Sequence, residues 1–467
     1  MEGDKQKNRG LVFLTIIYTI GNLSSKVLSF ALIFFTTYYL TKEEIGQYDL
    51  AIVTISLLYP IVSFQLADSM LRWLLSSDND DHRKEIISTG FFSLIVILFL
   101  FCVISWMFHY VVNVQYHCLI TLTTAVQVLY IVLQQIVRGL GRSKLYAING
   151  VINSLLVVAL SVAILNFTRL KVDGLLIVLI IAYTITCLQL IFSINLFKYV
   201  YLRFFHLELL KKMLRYSVPM IPNSLSWLAI STVNRYFILF FLGAAFNGIF
   251  SISLKIPTLI TMVANIFVLA WKEKSILTFD QEGRDRYYTE VFGRFMVILF
   301  TFSSFVVAFN TLLFKYLISP NFVEAKYFTP MLLLATILSS LAGFLEGGFL
   351  GAKKTQALLV STLFGCLTTI AISYFAIPSF KLYGAAFGVL MGFFVLLIMR
   401  IYQARHIFRI KINMQQLVML FALFALCSIP TFYDNKLLEY GMILGSIVAF
   451  FGYNKNLFFL LLKKIRK

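Results

Sequence analysis

Fourteen apolar runs separated by short polar connections dictate what this 467-residue chain can fold into. They fall at 11–40, 46–66, 87–109, 116–137, 145–166, 174–196, 216–242, 248–270, 291–313, 329–350, 357–378, 382–402, 414–431 and 437–460. A helix of about 20 apolar residues crosses the hydrocarbon of a bilayer while bonding its own backbone N–H and C=O groups. Runs of this length predict an all-α membrane protein of about 14 transmembrane helices. Hydrophobic residues make up 60% of the chain and charged ones 13%. Fourteen helices consume about 280 positions, so almost nothing is left for a soluble domain. The polar start MEGDKQKNRG has no apolar core or small-residue cleavage site of its own, so the first helix is expected to remain as an anchor. Cys102, Cys118, Cys187, Cys366 and Cys427 sit singly in apolar surroundings with no CxxC spacing. They are expected to be small core residues, neither disulfides nor metal ligands.

Fourteen crossings place both termini on one side of the membrane. Of the 40 Lys and Arg, 30 fall on that side and seven on the other. Positive loops stay in the cytoplasm during insertion, so both termini are expected to be cytoplasmic. The net charge of +19 then forms a collar against the anionic lipid of the inner leaflet, and no nucleic-acid partner is needed to explain it. An internal repeat is also visible. Leu40-Thr-Lys-Glu-Glu-Ile-Gly46-Gln-Tyr48 and Leu242-Gly-Ala-Ala-Phe-Asn-Gly248-Ile-Phe250 align leucine, glycine and an aromatic at one offset of 202 residues. Gly21-Asn22-Leu-Ser and Pro222-Asn223-Ser-Leu-Ser correspond just upstream. Two parallel six-helix repeats around a central cavity follow, related by an axis along the membrane normal, with two further C-terminal helices. The expected divisions are a bundle over 1–200, a second over 201–410 and an appendage over 411–467. The basic segment 204–215 leads the second bundle and reads as an amphipathic helix on the cytoplasmic surface.

Three cations remain inside the runs: Lys26, Arg235 and Lys255. A charge at such depth costs from about 3 to about 17 kcal/mol according to how far it can reach water, so uncompensated cations there point to an anionic ligand. Along their helices, Lys255 lies roughly 10 Å from Gly248, Arg235 roughly 12 Å from Gly243 and Lys26 roughly 20 Å from Leu40. Polar residues at helical spacing accompany each: Asn22 and Ser29 with Lys26, Ser231 with Arg235, Ser251 and Thr258 with Lys255. A diphosphate needs dispersed positive donors, and sugars need hydroxyl and amide groups. Lys26, Arg235, Lys255, Asn22, Asn223 and Ser231 are therefore the candidate binding residues. Competing structural readings are snorkelling to the outer interface for Lys255 and bonding to backbone carbonyls for Lys26. Asp49 and Glu346 are acidic residues near membrane depth that could couple an ion, although each lies within about 10 Å of an interface. Pro60 and Pro257, in corresponding helices of the two repeats, are expected to bend them. Pro219 and Pro222 read as the start of the seventh helix, with Ser217 as its cap.

Tyr39-Leu-Thr-Lys-Glu-Glu-Ile-Gly-Gln-Tyr48, Arg138-Gly-Leu-Gly-Arg-Ser-Lys-Leu-Tyr-Ala147, Leu214-Arg-Tyr-Ser-Val-Pro-Met-Ile-Pro-Asn-Ser-Leu-Ser226 and Asn234-Arg-Tyr-Phe-Ile-Leu-Phe-Phe-Leu-Gly243 resemble stretches of the Wzx-type polysaccharide flippases. Those proteins share a superfamily with the MATE multidrug antiporters and the lipid II flippases, and the likeness in helix pattern covers nearly the whole chain. The resemblance implies a transporter in the bacterial inner membrane. Its cargo would be an undecaprenyl-diphosphate-linked oligosaccharide, moved from the inner to the outer leaflet by alternating access. It also implies polysaccharide assembly proteins as further partners, and no cofactor beyond a proton or sodium gradient. A lipid II flippase differs only in the sugar. A MATE-type exporter of cationic drugs would line its site with acidic and aromatic groups, against which Lys26 argues. A polymerase or ligase would need an outer loop able to position catalytic groups, yet no outer connection exceeds about 16 residues or holds a carboxylate pair or histidine cluster.

Overall fold

The computed structural model describes residues 30, 32 and 34–465 other than 78, 112–114, 353 and 434, and of the first apolar run it shows the helical end 34–39 (α1). The helices that follow are α2 (Lys42–Val62), α3 (Leu66–Leu75), α4 (Asp80–Val111), α5 (His117–Gly139), α6 (Ser143–Phe167), α7 (Lys171–Ile194), α8 (Leu207–Ser217), α9 (Ile221–Leu242), α10 (Ala244–Ser253), α11 (Lys255–Leu277), α12 (Arg284–Ala308), α13 (Asn310–Leu317), α14 (Thr329–Gly351), α15 (Thr355–Ala404), α16 (Met414–Ser428) and α17 (Lys436–Ile465). Twelve segments among the described residues are long and apolar enough to cross a membrane. Lys381, with φ 49° and ψ −130°, interrupts α15. Its halves 355–380 and 382–404 are therefore two crossings, giving thirteen to set beside the first run.

Local chemistry explains where the helices start and break. Thr41 and Glu44 form a capping box at the start of α2: Thr41 N donates to Glu44 Oε2 at 2.8 Å, and Glu44 N donates to Thr41 Oγ1 at 3.2 Å. The predicted second helix begins earlier than expected and breaks at 63–65, where Phe64 and Gln65 hold φ of 48° and 54°. The bend expected at Pro60 is thus a break a turn further on. The eighth helix is likewise divided, at Leu254, so that Pro257 falls in the first turn of α11, where its missing N–H costs nothing. Ser217 does not cap as expected; its hydroxyl is buried with no hydrogen-bond partner among the described residues, because α8 passes almost directly through the turn 218–220 into α9. Cys118 is exposed and not a core residue, whereas Cys187, Cys366 and Cys427 are buried.

The described chain packs as two compact units, one ending at Leu225 and one beginning at Ser226, with the exchange that Thr41–Gly46 belongs to the second. In the first unit Leu66, Met70 and Leu74 of α3 enter a core with Ile86 and Ile87 of α4, Val132 and Ile136 of α5, and Met213 of α8. That helix is amphipathic as expected, with Met213 buried and Lys211, Lys212 and Arg215 exposed. A neutral polar spine ties α5, α6 and α7 together. Gln134 Nε2 donates to Asn149 Oδ1 at 2.6 Å, and Asn149 Nδ2 donates to Gln189 Oε1 at 2.9 Å. Inside a bilayer such amide contacts hold helices that have no hydrophobic reason to associate.

In the second unit, the Trp271 and Phe344 rings stack 4.2 Å apart and join α11 to α14. Trp271 Nε1 also donates to the Phe344 carbonyl at 2.9 Å. The two repeat glycines meet here. A methyl carbon on Gly46 would overlap the Ala244 carbonyl and lie 2.9 Å from the Gly248 nitrogen. One on Gly248 would overlap the Lys42 carbonyl and lie 3.2 Å from the Gly46 nitrogen. Residue i of each turn touches residue i−4 of the other, so the contact repeats the 202-residue offset of the sequence. Asn247 Nδ2 closes it with a bond to the Gly46 carbonyl at 2.8 Å. Backbone cannot yield as a side chain can, so Gly46→Val and Gly248→Val should each cost about 1–3 kcal/mol. Gly293→Ala, where a methyl meets nothing within 4 Å, should cost nothing. Thermal unfolding of the purified variants checks this; equal melting temperatures for all three would remove the contact from the fold's support.

Candidate functional site

Among the charged side chains within the helices of the second unit, two groups stand out. In the first, Arg235 lies seven residues before the end of α9, roughly 10 Å from it. It is 9% exposed, and its Nη1 donates to the Ser231 carbonyl one turn back. Lys255 is half-buried and opens α11 directly after the break at Leu254. The hydroxyls expected beside these cations are turned to backbone carbonyls instead: Ser231 Oγ donates to Leu228 O at 3.0 Å, and the Thr258 hydroxyl donates to Lys255 O.

The second group lies near the far ends of α11, α14 and the 382–404 half of α15. Lys272, Glu346 and Arg400 stand four or five residues before those ends, roughly 6–8 Å in. Lys272 Nζ is 2.8 Å from Glu346 Oε1, and Arg400 Nη1 is 4.0 Å from Glu346 Oε2. Arg400 is only 1% exposed. Its Nη1 donates to the Ala342 carbonyl at 2.6 Å, Nε to Ser361 Oγ and Nη2 to Thr362 Oγ1 at 3.4 Å each, and its guanidinium lies 5.4 Å from the Trp227 ring. A buried cation persists only when its donors are satisfied and its charge is opposed. Arg400 meets both conditions, and Glu346 is its counter-charge. Lys272 keeps about a third of its side chain exposed, so it is the cation of the three that can meet a ligand.

The triad sums to one positive charge, and Arg235 and Lys255 add two. Trp227, Ser231 and Arg235 follow one another at four-residue steps along α9, so an aromatic face and a guanidinium line one side of one helix. This wall suits an anion with an attached polar group. No cluster of three His, Cys, Asp or Glu that could hold a metal ion occurs among the described residues.

The other expected residues are placed as follows. Glu346 is engaged by Lys272 and Arg400. Asp49 is buried in α2 of the first unit. Asn223 also belongs to the first unit, and its Oδ1 is buried with no hydrogen-bond partner among the described residues. Asn22 and Lys26 lie outside the described residues. The sequence missed Arg400 and Lys272, which it counted with the basic collar. Glu346 was the available signal, because a lone acid inside an apolar run calls for basic partners at the same depth.

Residues 14–271, more than half of the chain, match the family described as polysaccharide biosynthesis protein. The chain belongs to this family. No curated protein matches the sequence. Among solved structures, the lipid II flippase MurJ in an inward closed conformation is similar to this polysaccharide biosynthesis protein at a TM-score of 0.73 and 12% identity, over 96% of this chain and 100% of that one. An inward-facing multidrug resistance MATE family transporter of the MOP superfamily gives 0.67 at 16% identity, over 83% and 97%. A MOP superfamily transporter from Pyrococcus furiosus, described by a binding pocket of reversed polarity, gives 0.59 at 17%, over 84% and 95%. The likenesses establish a MurJ- and MATE-like fold, and the homologous folds are those of transporters and flippases.

Proposed function

We propose that this polysaccharide biosynthesis protein carries an oligosaccharide, joined through a diphosphate to an undecaprenyl lipid, from the inner to the outer leaflet of the bacterial inner membrane by alternating access. The observation that carries the reading is the placement of four cations within helices of the second unit: buried Arg235, half-buried Lys255, and Lys272 and Arg400 about Glu346. A diphosphate is attracted by cations so placed, whereas a cationic drug is repelled by them. Arg235 offers a planar fork to phosphate oxygens and the lysines offer mobile point charges. Trp227 suits a sugar face. Lys26 and Asn22 extend the same chemistry to the first helix, with Lys26 meeting the diphosphate from the inward-facing side. No residue is given a catalytic role. A proton or sodium gradient drives the cycle in this reading, with Asp49 as the acid for coupling, since Glu346 is held by two cations. Polysaccharide assembly proteins are the natural partners on either side of the step.

Lipid II is the second reading of the cargo, supported by the match to the lipid II flippase along 96% of this chain. Both cargoes share the diphosphate and differ in sugar. The test is transfer in proteoliposomes of an undecaprenyl-diphosphate oligosaccharide, scored by access of a lectin to the far leaflet. Transfer of this lipid, but not of the same sugar on neutral polyprenol, is expected; equal rates for both would contradict the cationic wall.

The proposed orientation has its own check. In a protein stripped of its five cysteines, a cysteine at Ala245 should react with an impermeant reagent added outside cells, and one at the exposed Gly283 should not. Asn247, two residues on, is fully buried and unsuitable for labelling. Equal labelling of both positions would overturn the orientation.

A further inference from the structure

A half-open chamber lies where the first half of α12 and the later part of α17 meet the start of α16. It encloses about 440 Å³ and is lined by Glu290, Arg294, Lys411, Asn413, Gln416 and Tyr453, among others. The segment 405–413, whose residues Lys411, Ile412 and Asn413 line it, alternates. Phe408, Ile410 and Ile412 turn inward or partly inward, while Arg409, Lys411 and Asn413 are exposed. It is firmly held: Arg284 Nη2 donates to the Ile407 carbonyl at 3.1 Å, Lys411 N donates to Thr289 Oγ1 at 3.2 Å, and the Phe408 ring packs 5.6 Å from Tyr288. Asn413 caps α16 by accepting from Gln416 N at 3.1 Å.

Its charges are unbalanced. Neither Arg294 nor Lys411 has an ion-pair partner among the described residues. The chamber's carboxylate, Glu290, is engaged with Arg286 at 3.2 Å. Beside it lies a smaller cavity of about 220 Å³ that shares Phe292 and Ile412, is lined mostly by apolar residues such as Leu345, Ile401 and Phe408, and has Arg405 at its edge. A cationic chamber opening beside an apolar one matches an amphiphile with an anionic head.

We propose that Arg294 and Lys411 bind the phosphate of a lipid headgroup, an anionic phospholipid of the cytoplasmic leaflet, separately from the transported cargo. The proposal takes its leaflet from the orientation proposed above and is independent of what the protein transports. Each cation near an anionic surface is worth about fivefold in binding, so losing both should weaken it about 25-fold. The experiment is native mass spectrometry of the delipidated full-length protein titrated with phosphatidylglycerol, phosphatidylcholine, polyprenyl phosphate or inorganic phosphate. One tightly held phosphatidylglycerol is expected on the wild type and none in preference from phosphatidylcholine. Arg294→Gln with Lys411→Gln should lose it at unchanged melting temperature. Arg294→Lys with Lys411→Arg should keep it, and Arg409→Gln, outside the chamber, should behave as wild type. Displacement by polyprenyl phosphate would assign the lipid phosphate to the carrier lipid. Undiminished binding by the Gln double variant, or displacement by millimolar inorganic phosphate, would overturn the proposal. Oligosaccharide transfer measured in parallel separates this outcome from any failure of the proposed cargo.

Discussion

Arg235→Ala should abolish nearly all oligosaccharide export, while Arg235→Lys keeps a part of it, at equal amounts of protein in the membrane. Arg235 is 9% exposed, and one of its nitrogens already bonds the Ser231 carbonyl on its own helix. That bond orients the guanidinium on its own helix. Truncating one partner of a buried, hydrogen-bonded charge pair costs about 2–5 kcal/mol, so the alanine variant should fall by about 30-fold or more. Lysine restores the charge but not the fork, and two parallel bonds to a phosphate become one. Export by cells producing each variant decides the matter. Full export by the alanine variant would remove Arg235 from the site.

Glu346→Gln should be the most destabilising single change among the charged residues of the second unit. Glutamine keeps the shape and removes the counter-charge that faces Lys272 at 2.8 Å and Arg400 at 4.0 Å. Breaking a buried ion pair from one side costs about 3–5 kcal/mol, and the lower end applies because a quarter of the Glu346 side chain is exposed. The cause can be separated from simple loss of packing. Replacing both partners, Glu346→Gln with Arg400→Met, removes the unopposed charge together with its counter-ion and should recover much of the melting temperature. If the double variant melts below the single one, Arg400 contributes through its bonds to Ala342, Ser361 and Thr362 more than through Glu346. Low export by a stable double variant would then mark the triad as part of the transport path and not only of the fold.

The helices were legible because continuous apolar length leaves few alternatives. Each run after the first has its helix, and the shared glycine of the repeat turned out to be a place where two backbones touch. The breaks were only partly legible. Pro60 and Pro257 signal disruption, but Phe64 and Gln65 occupy the left-handed region that non-glycine residues rarely enter, and nothing in their types announces it. Arg400 was hidden for a different reason. It lies within about a turn of its helix end, where a basic residue ordinarily reaches the interface. Its burial depends on Ala342 and Glu346 from α14 and on Ser361 and Thr362 from the other half of α15, contacts that no local pattern encodes. The same limit applies to hydroxyls: Ser231 and Thr258 were correctly spaced from their cations, yet a helix carbonyl one turn back was the nearer acceptor.

The proposed movement of a diphosphate-linked oligosaccharide between leaflets is tested most directly by leaflet-resolved measurement of undecaprenyl-diphosphate-linked oligosaccharides in cells depleted of the protein, using a membrane-impermeant reagent that modifies only sugars exposed outside. One such lipid should accumulate on the cytoplasmic leaflet, and its outward distribution should return with the wild-type protein but not with Arg235→Ala. An unchanged distribution of every such lipid on depletion would contradict it.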